Sequence, residues 1–386
     1  MKSTLSALGA AALLVCSGWV WAAPPDGGIT DLQSSVAGKV IGTEGGTVQL
    51  PHPAADQRST LAALLATPLT ADAAVRIALL NNPELQAAMG REGLSLSDAT
   101  GRDTPAKRRA QQAVTVLSVQ AFKAWVNAVA TAHNAQLLRE AKTTAETSGE
   151  LTRRMLQAGN VSQLTQAQSQ AALSDAALAL VRAEAAAFAA REVLTVALGL
   201  WGKDTQFALP TALPALPAQA MDLPDVEARA VNARTDLQRA ALEWQRKQQS
   251  TVPDSADALW DAMGDAAQVR AQAVLLRSQA RTAYHHYRSS WDIATHLTQE
   301  VLPLRQFIHD ELVLRYNGML TGLFDVLADR QTQTLAQTAS VAAHRDFWLA
   351  HANLQALLAG APLDVIGGDA STNTSEARPA ANPGGH

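Results

Sequence analysis

The chain has 386 residues and a formal net charge of −4, and apolar residues make up 47% of it while aromatic residues make up only 4%. Alanine therefore supplies much of the apolar content, as is typical of closely packed helices. The weak negative charge and the lack of a basic stripe exclude the usual kind of nucleic-acid-binding protein. Beyond the first residues, no apolar run approaches the length of a transmembrane helix.

The N-terminus has the pattern of a secretory signal peptide, which predicts an exported protein. Lys2 precedes an apolar run from Leu5 to Val15, and small residues follow. We expect residues 1–22 to be removed, and the protein to reside in the periplasm or at the outer membrane. Cys16 is the only cysteine; the alternative is a lipoprotein that carries a lipid on this thiol. After ordinary cleavage no disulfide and no cysteine-based metal site is expected.

Residues 24–68 contain many prolines and glycines and predict an extended lead-in. A helix should then start after Thr70, a good N-cap, with Asp72 in its first turn. The tail after residue 360 is predicted to be disordered by its composition. The predicted organisation is a signal peptide 1–22, an extended segment 23–68, helical repeat one 69–202, a Pro-rich linker 203–222, helical repeat two 223–360 and a tail 361–386.

The second half of the chain repeats the first. Glu150–Gly199 aligns with Glu311–Gly360 at an offset of 161 (311−150 and 360−199). Closer to the start of each repeat, residues 84–86 (ELQ) match residues 236–238 (DLQ) at an offset of 152 (236−84). A long fixed spacing of this kind indicates an internal duplication.

Three stretches lack both Gly and Pro over about 40 residues each, namely 106–148, 160–198 and 323–359. At 1.5 Å per residue they predict helices roughly 55–65 Å long. Residues 160–198 carry two apolar seams, which predicts neighbouring helices on both sides. The fold class expected is all-α, with long antiparallel helical hairpins in two tandem repeats. One seam contains Leu164, Ala167, Ala171, Leu178, Val181, Ala185 and Phe188; the other contains Leu173, Ala177, Leu180, Ala187 and Leu194.

Two short segments, residues 158–162 and 317–322, are predicted to be the tight turns of these hairpins. Their Gly and Asn residues would supply the left-handed backbone geometry that ends a helix, and Ser162 or Thr321 would cap the next one. From chemistry alone, each turn could be a plain helix reversal.

Several short motifs resemble the TolC-like outer-membrane efflux family. Tyr316 is followed nine residues later by Asp-Val-Leu at 325–327, as at hairpin tips of that family. The motifs NNPELQAA, AGNVSQL and LGLWG and the Pro-rich linker also resemble the family, and YNGML and LGLWG are most similar to members associated with heavy-metal, perhaps copper, handling. The resemblance covers residues 69 to 360; these motifs stand at 81–88, 158–164, 198–202, 209–224 (the linker) and 316–320.

The resemblance implies a homotrimer that lines a periplasmic α-barrel and works with a periplasmic adaptor and an inner-membrane pump. The hairpin tips would form a gated entrance where the adaptor docks. Asp325 would contribute to a ring of three carboxylates there. The family's second acid would fall at Ala328, so a double ring is in doubt, because Asp329 lies one residue too late. Asp325 could also be an ordinary solvated residue of a helix start. The tip residues implied are Gly159, Asn160, Ser162, Tyr316, Gly318, Thr321, Gly322 and Asp325.

The chain departs from the family where the family has its membrane β-hairpins. The corresponding slots, residues 90–105 and 250–268, are short, and the second reads as a polar loop or short helix. Two spanning strands need about 9–11 residues each. We therefore expect little or no β-barrel, so that the protein would stop short of the outer membrane or borrow a membrane element from another subunit.

No enzyme motif is present, and we expect no catalytic residues, cofactor or metal site. His344 and His351 are two helical turns apart rather than one, and the adjacent His285 and His286 point in different directions on a helix. Two functions are compatible with the sequence. The first is an outer-membrane-factor-like component of a tripartite efflux system, a helical conduit for export with heavy metals as candidate cargo; the second is a periplasmic coiled-coil scaffold or partner-binding protein without a pore.

Overall fold

The computed structural model describes residues 28–42, 48–51, 57–92, 104–250 and 255–362. The predicted signal peptide, Cys16 and the tail beyond residue 362 lie outside this part. All regular elements among the described residues are helices. They are α1 (Ile29–Val36), α2 (Gln57–Leu65), α3 (Ala71–Asn81), α4 (Pro83–Glu92), α5 (Pro105–Gln157), α6 (Gln163–Leu198), α7 (Val226–Ala233), α8 (Thr235–Ser250), α9 (Ala256–His296), α10 (Leu302–Asn317) and α11 (Leu323–Leu358), with a 3-10 turn at Gly202–Thr205 and a π-helical segment at Leu297–Val301.

Four long helical rods form the body of the molecule. α5 pairs with α6, the α9–α10 rod pairs with α11, and α11 also packs on α5. The order across the layer is thus α6, α5, α11, α9–α10. α5 has 53 residues and α6 and α11 have 36 each, or roughly 80 and 54 Å. The predicted all-α class and long hairpins are confirmed.

The two apolar seams of α6 have different surroundings. Leu180 and Leu194 of the second seam are buried, and this face packs on α5. The other seam faces outward: Leu164 is 68% exposed, Val181 63% and Phe188 66%. Within one chain, only one of the two expected neighbours of α6 is therefore present.

α5 is the one helix among the described residues that is long and apolar enough to cross a membrane by length and composition. However, 72% of its apolar window is buried inside the protein. Trp125 in this window is almost fully buried, and its indole N–H donates to the Leu69 carbonyl oxygen at 2.7 Å. The apolar character of α5 is thus explained by packing within the chain.

The duplication is visible in matching hydrogen bonds. In α4, the Gln86 amide donates to the Leu80 carbonyl at 2.9 Å, and in α8 the Gln238 amide donates to the Asn232 carbonyl at 2.9 Å. Both residues of each pair are related by the predicted offset of 152 (238−86 and 232−80). Thr70 caps α3 by accepting from the Ala73 N–H at 3.2 Å, as expected.

The Pro-rich linker is fastened to the second repeat by aromatic side chains. The indole N–H groups of Trp348 and Trp291 donate to the carbonyls of Pro214 and Pro217 at 3.2 and 3.0 Å. The Tyr287 hydroxyl accepts from the Met221 N–H at 3.0 Å. These tryptophans are packing anchors, as the sequence suggested.

Two expectations about connecting segments were wrong. The lead-in is not simply extended, because α1 and α2 lie within it; Leu32 and Val36 of α1 are buried in the first-repeat core. The second slot is not a loop either. Residues 256–268 are the first turns of α9, a helix of 41 residues. Most of the first slot, residues 93–103, lies outside the described residues.

Candidate functional site: the hairpin tips

Both predicted turns lie at the same end of the helical layer. The Phe122 ring of α5 is 6.4 Å from the Trp348 ring of α11, and farther along α5 His133 shares a small cavity with His344. α5 and α11 are therefore antiparallel, so the end of α5 lies beside the start of α11. The tips at residues 158–162 and 318–322 consequently form one surface.

The first tip has the geometry expected from its sequence. Gly159 takes a left-handed conformation with φ of 78°, and the Asn160 N–H donates to the Met155 carbonyl at 2.8 Å. Ser162 then caps α6, because its hydroxyl accepts from the Thr165 N–H at 3.1 Å. Gly159, Asn160 and Ser162 are all exposed.

The second tip closes in the same way with different residues. The left-handed residue is Met319, with φ of 59°, and not Asn317 or Gly318 as the sequence suggested. Met319 is the only non-glycine residue with positive φ in the described part of the chain. The Leu320 N–H donates to the Arg315 carbonyl at 2.8 Å, which matches the Asn160 bond at an offset of 160 rather than 161 (320−160). The repeats are therefore shifted by one residue at the tips.

Thr321 does not cap α11 in the way predicted. The N-cap residue is Gly322, and the Thr321 hydroxyl donates to the Asp325 carboxylate at 2.7 Å. The same carboxylate accepts from the Gly322 N–H at 3.0 Å. The hydroxyl bond first, and the backbone bond second, lower the pKa of Asp325. Asp325 is exposed, so each chain presents a fixed negative charge at this end.

Asp329 has no place on the tip surface. Its side chain is 8% exposed and lies in the seam between α10 and α11, where its carboxylate is 2.9 Å from Nδ1 of His309. One turn farther from the tip, the Gln333 amide donates to Gln306 at 2.7 Å. The doubt about a double acidic ring thus has a structural reason, since Asp329 pairs within the hairpin.

Apolar residues at the second tip were missed by the reasoning from sequence. Met319 is 94% exposed and Leu320 is 80% exposed, and Tyr316 beside them is 42% exposed. The signal was present, because two large apolar residues at the centre of a tight turn have no helix to pack against. Together with Gly318 and Gly322 they form a protruding apolar knob next to the Asp325 charge.

An ion pair one turn before each tip is shared by the repeats. Glu150 binds Arg154 at 2.8 Å in α5, and Glu311 binds Arg315 at 3.0 Å in α10. The pKa of Glu150 is lowered, first by its hydrogen bond to Arg154 and then by its hydrogen bond to Arg153. These pairs are exposed, so they mark the duplication and contribute little to stability.

No cluster of metal-ligating side chains occurs among the residues that the structure covers. His344 places Nδ1 3.0 Å from the Ser340 carbonyl in its own helix. His351 is enclosed by aromatic rings, with the Tyr287 ring at 5.8 Å and the Trp348 ring at 5.6 Å.

Comparison with known proteins identifies the fold. No family model and no curated protein matches the chain. Among solved structures, one of CusC, from a study of folding and transmembrane channel formation, aligns with 75% of this chain and 92% of that chain at 13% identity and a TM-score of 0.51. The outer-membrane channel OprN aligns with 75% of this chain and 90% of that chain at 15% identity and a TM-score of 0.51. This chain has the fold of the TolC-like outer-membrane channel proteins, as the sequence motifs predicted.

Proposed function

We propose that this protein is an outer-membrane-factor-like component of a tripartite efflux system, a helical conduit for export that extends into the periplasm. The observation that carries the proposal is the fold likeness to outer-membrane channels, which spans both hairpins of the chain. The signal-peptide pattern at residues 1–22 is consistent with a location in the periplasm or at the outer membrane.

The exposed apolar edges of the helical layer support assembly into a ring. On the α6 edge, Val181 and Phe188 are exposed, and on the α9–α10 edge Val274 and Phe307 are 57% and 66% exposed. The edges differ in residues, so an edge of one copy would meet the other edge of the next. Such head-to-tail contacts close into a ring when the rotation allows it. We propose a homotrimer in which α6 gains its second neighbour from another copy.

The tip surface is the proposed entrance and the docking site for the periplasmic adaptor. Large exposed apolar side chains such as Met319 and Leu320 are typical of protein-binding surfaces. Asp325 would give the entrance a ring of three negative charges, which favours cations. The inner-membrane pump would connect through the adaptor. Heavy-metal ions are the proposed cargo on the resemblance of YNGML and LGLWG.

The oligomeric state and membrane association test this function. The full chain would be expressed with its leader, and membranes would be fractionated before extraction with and without detergent. A particle of three copies, recovered with outer membrane, is expected by light scattering. The alternative is a periplasmic coiled-coil scaffold without a pore, which has the start of α9 within the second slot in its favour. Detergent-free release as a monomer would contradict the conduit and favour the scaffold.

A matched pair of variants tests the ring itself. Val181→Glu and Phe188→Glu place charge on the exposed edge of α6 and should convert the trimer to monomers. Arg153→Glu, on an exposed part of α5 near the tip, changes charge without touching either edge. Trimers that persist in the α6 variants would show that this edge is not the interface.

A further inference from the structure

A groove at the end of the molecule opposite the tips concentrates positive charge. It is lined by the first turns of α5, by the junction of α7 and α8, and by the chain after α11, and has a volume of about 320 Å³. That volume is within the range of small-molecule sites. Its charged side chains are Lys39, Arg108, Arg109, Arg234, Arg239 and Asp236.

The excess of cations does not follow from composition, because the chain as a whole is acidic, with a formal net charge of −4. Asp236 is the one carboxylate that the described part of the chain places in this groove. It is engaged by Arg234 through two hydrogen bonds of 2.9 and 2.5 Å. The remaining four cations of the groove have no acidic partner lining the same space among the described residues.

The cationic side chains come from three separate parts of the chain. Lys39 follows α1, Arg108 and Arg109 are in the first turn of α5, and Arg239 is in α8. A second groove of about 430 Å³ shares Lys39 and adds Arg229. Bringing like charges together from distant segments destabilises a fold unless an anion offsets their repulsion.

The position of the groove indicates where its ligand comes from. α5 is 17 residues longer than α6 (53−36), so its first turns project roughly 25 Å beyond the end of α6. In the proposed conduit, this projecting end faces the outer membrane. Arginine guanidinium groups form paired hydrogen bonds with phosphate oxygens.

We propose that this groove binds the phosphate group of an anionic lipid headgroup. The placement at a membrane rests on the proposed function, whereas the phosphate chemistry depends only on the groove. Lys39 and Arg239 supply charge that no described carboxylate neutralises, since neither side chain has an ion pair or hydrogen bond within the described residues. Bound lipid would orient the projecting end of the helical layer toward the bilayer surface.

Vesicle sedimentation with the purified full mature chain tests the proposal. Phosphatidylcholine vesicles would be compared with vesicles of phosphatidylcholine and phosphatidylglycerol in equal parts. Each Lys or Arg near an anionic surface is worth roughly a fivefold change in partition. The double variant Lys39→Gln, Arg239→Gln should therefore lose about 25-fold in partition to anionic vesicles, and the binding of the unaltered chain should weaken as salt rises.

The matched control removes the same charge elsewhere. Arg182→Gln with Arg270→Gln alters two exposed residues of α6 and α9, away from the groove. This control should keep partition within a few-fold of the unaltered chain. Equal losses in both double variants, or no loss in the groove variant, would overturn the proposal.

Inorganic phosphate distinguishes the two sources of the ligand. If phosphate binds in calorimetry, with binding lost in the Lys39→Gln, Arg239→Gln variant, while anionic vesicles are not preferred, the groove binds soluble phosphate and the lipid assignment is overturned. Preferential binding to anionic vesicles by a chain that stays monomeric would support the groove while contradicting the conduit. The two failures are thus separate.

Discussion

Gly360 and Ala233 meet so closely that a Cβ built on Gly360 would lie 2.4 Å from the Ala233 carbonyl oxygen. Gly360 is also left-handed, with φ of 78°. The first repeat has the same contact, where a Cβ on Gly199 would lie 2.6 Å from the Asn81 carbonyl oxygen. In both repeats, the end of the long hairpin is therefore pressed against the break between two short helices.

Gly360→Ala should destabilise the protein strongly. The left-handed conformation costs about 1–2 kcal/mol for a residue with a Cβ, and the clash with the Ala233 backbone adds to it, for a total of roughly 3 kcal/mol. Gly159→Ala is the control, because Gly159 has the same φ of 78° but nothing within 4 Å of its Cβ position. Urea unfolding monitored by circular dichroism gives the comparison. Equal losses in both variants would mean that the contact with Ala233 is unimportant.

The glycine at the end of each repeat was predictable, but its partner was not. Alignment of Gly199 with Gly360 indicated a duplicated helix end. The partners Asn81 and Ala233 differ in side chain, and the contact involves only their carbonyl oxygens, so no residue pattern records it. The same limit applies at the second tip, where Met319 adopts the left-handed geometry that Gly318 was expected to provide.

The long helices were predicted well because their signal is local. Absence of Gly and Pro over 160–198 and 323–359 gave α6 and α11 to within a few residues. The helices α1 and α2 were missed because the surrounding prolines and glycines dominate that segment. α1 depends on tertiary packing, since Leu32 and Val36 are buried against the body. Asp329 illustrates a further limit, because its partner His309 lies on the other helix of the hairpin.

Trp125→Phe tests the buried link between α5 and the start of α3. The indole N–H is the donor to the Leu69 carbonyl at 2.7 Å, and its loss leaves a buried acceptor unpaired. We expect a loss of about 1–3 kcal/mol in the free energy of unfolding. Trp291→Phe removes a more exposed bond of 3.0 Å to the Pro217 carbonyl and should cost about 0.5 kcal/mol or less. Denaturation midpoints of the two variants would be compared, and a larger loss for Trp291 would contradict this ranking.

His351 makes stability depend on pH. Burial lowers its pKa from 6.5 to about 4, so between these values the unfolded chain binds a proton that the folded chain does not. The stabilising effect of keeping His351 neutral is complete above pH 6.5 and is lost as pH falls toward 4, by roughly 3 kcal/mol in all.

His351→Phe should remove this dependence. Nδ1 of His351 has no hydrogen-bond partner, and phenylalanine can occupy the same aromatic cluster. Because the pKa of the half-buried His133 is also lowered, and His133 is present in both proteins, the quantity to compare is the difference between variant and unaltered chain at each pH. That difference should shift in favour of the variant between pH 6.5 and 4. A constant difference across this range would show that His351 does not titrate on unfolding.

Asp325→Asn tests whether the charge at the tip acts on ions that pass the proposed entrance. The Thr321 hydroxyl and the Gly322 N–H lower the pKa of Asp325, so the carboxylate stays charged at every pH above its ordinary range. In planar-bilayer recordings, the unaltered trimer should prefer cations, and the variant should show a clearly lower ratio of cation to anion permeability. Asp175→Asn removes an exposed carboxylate from the middle of α6 and serves as the control. Because three copies of Asp325 would converge on one opening while Asp175 lies far along the wall, equal changes in the two variants would place the selective charge elsewhere than at the tips.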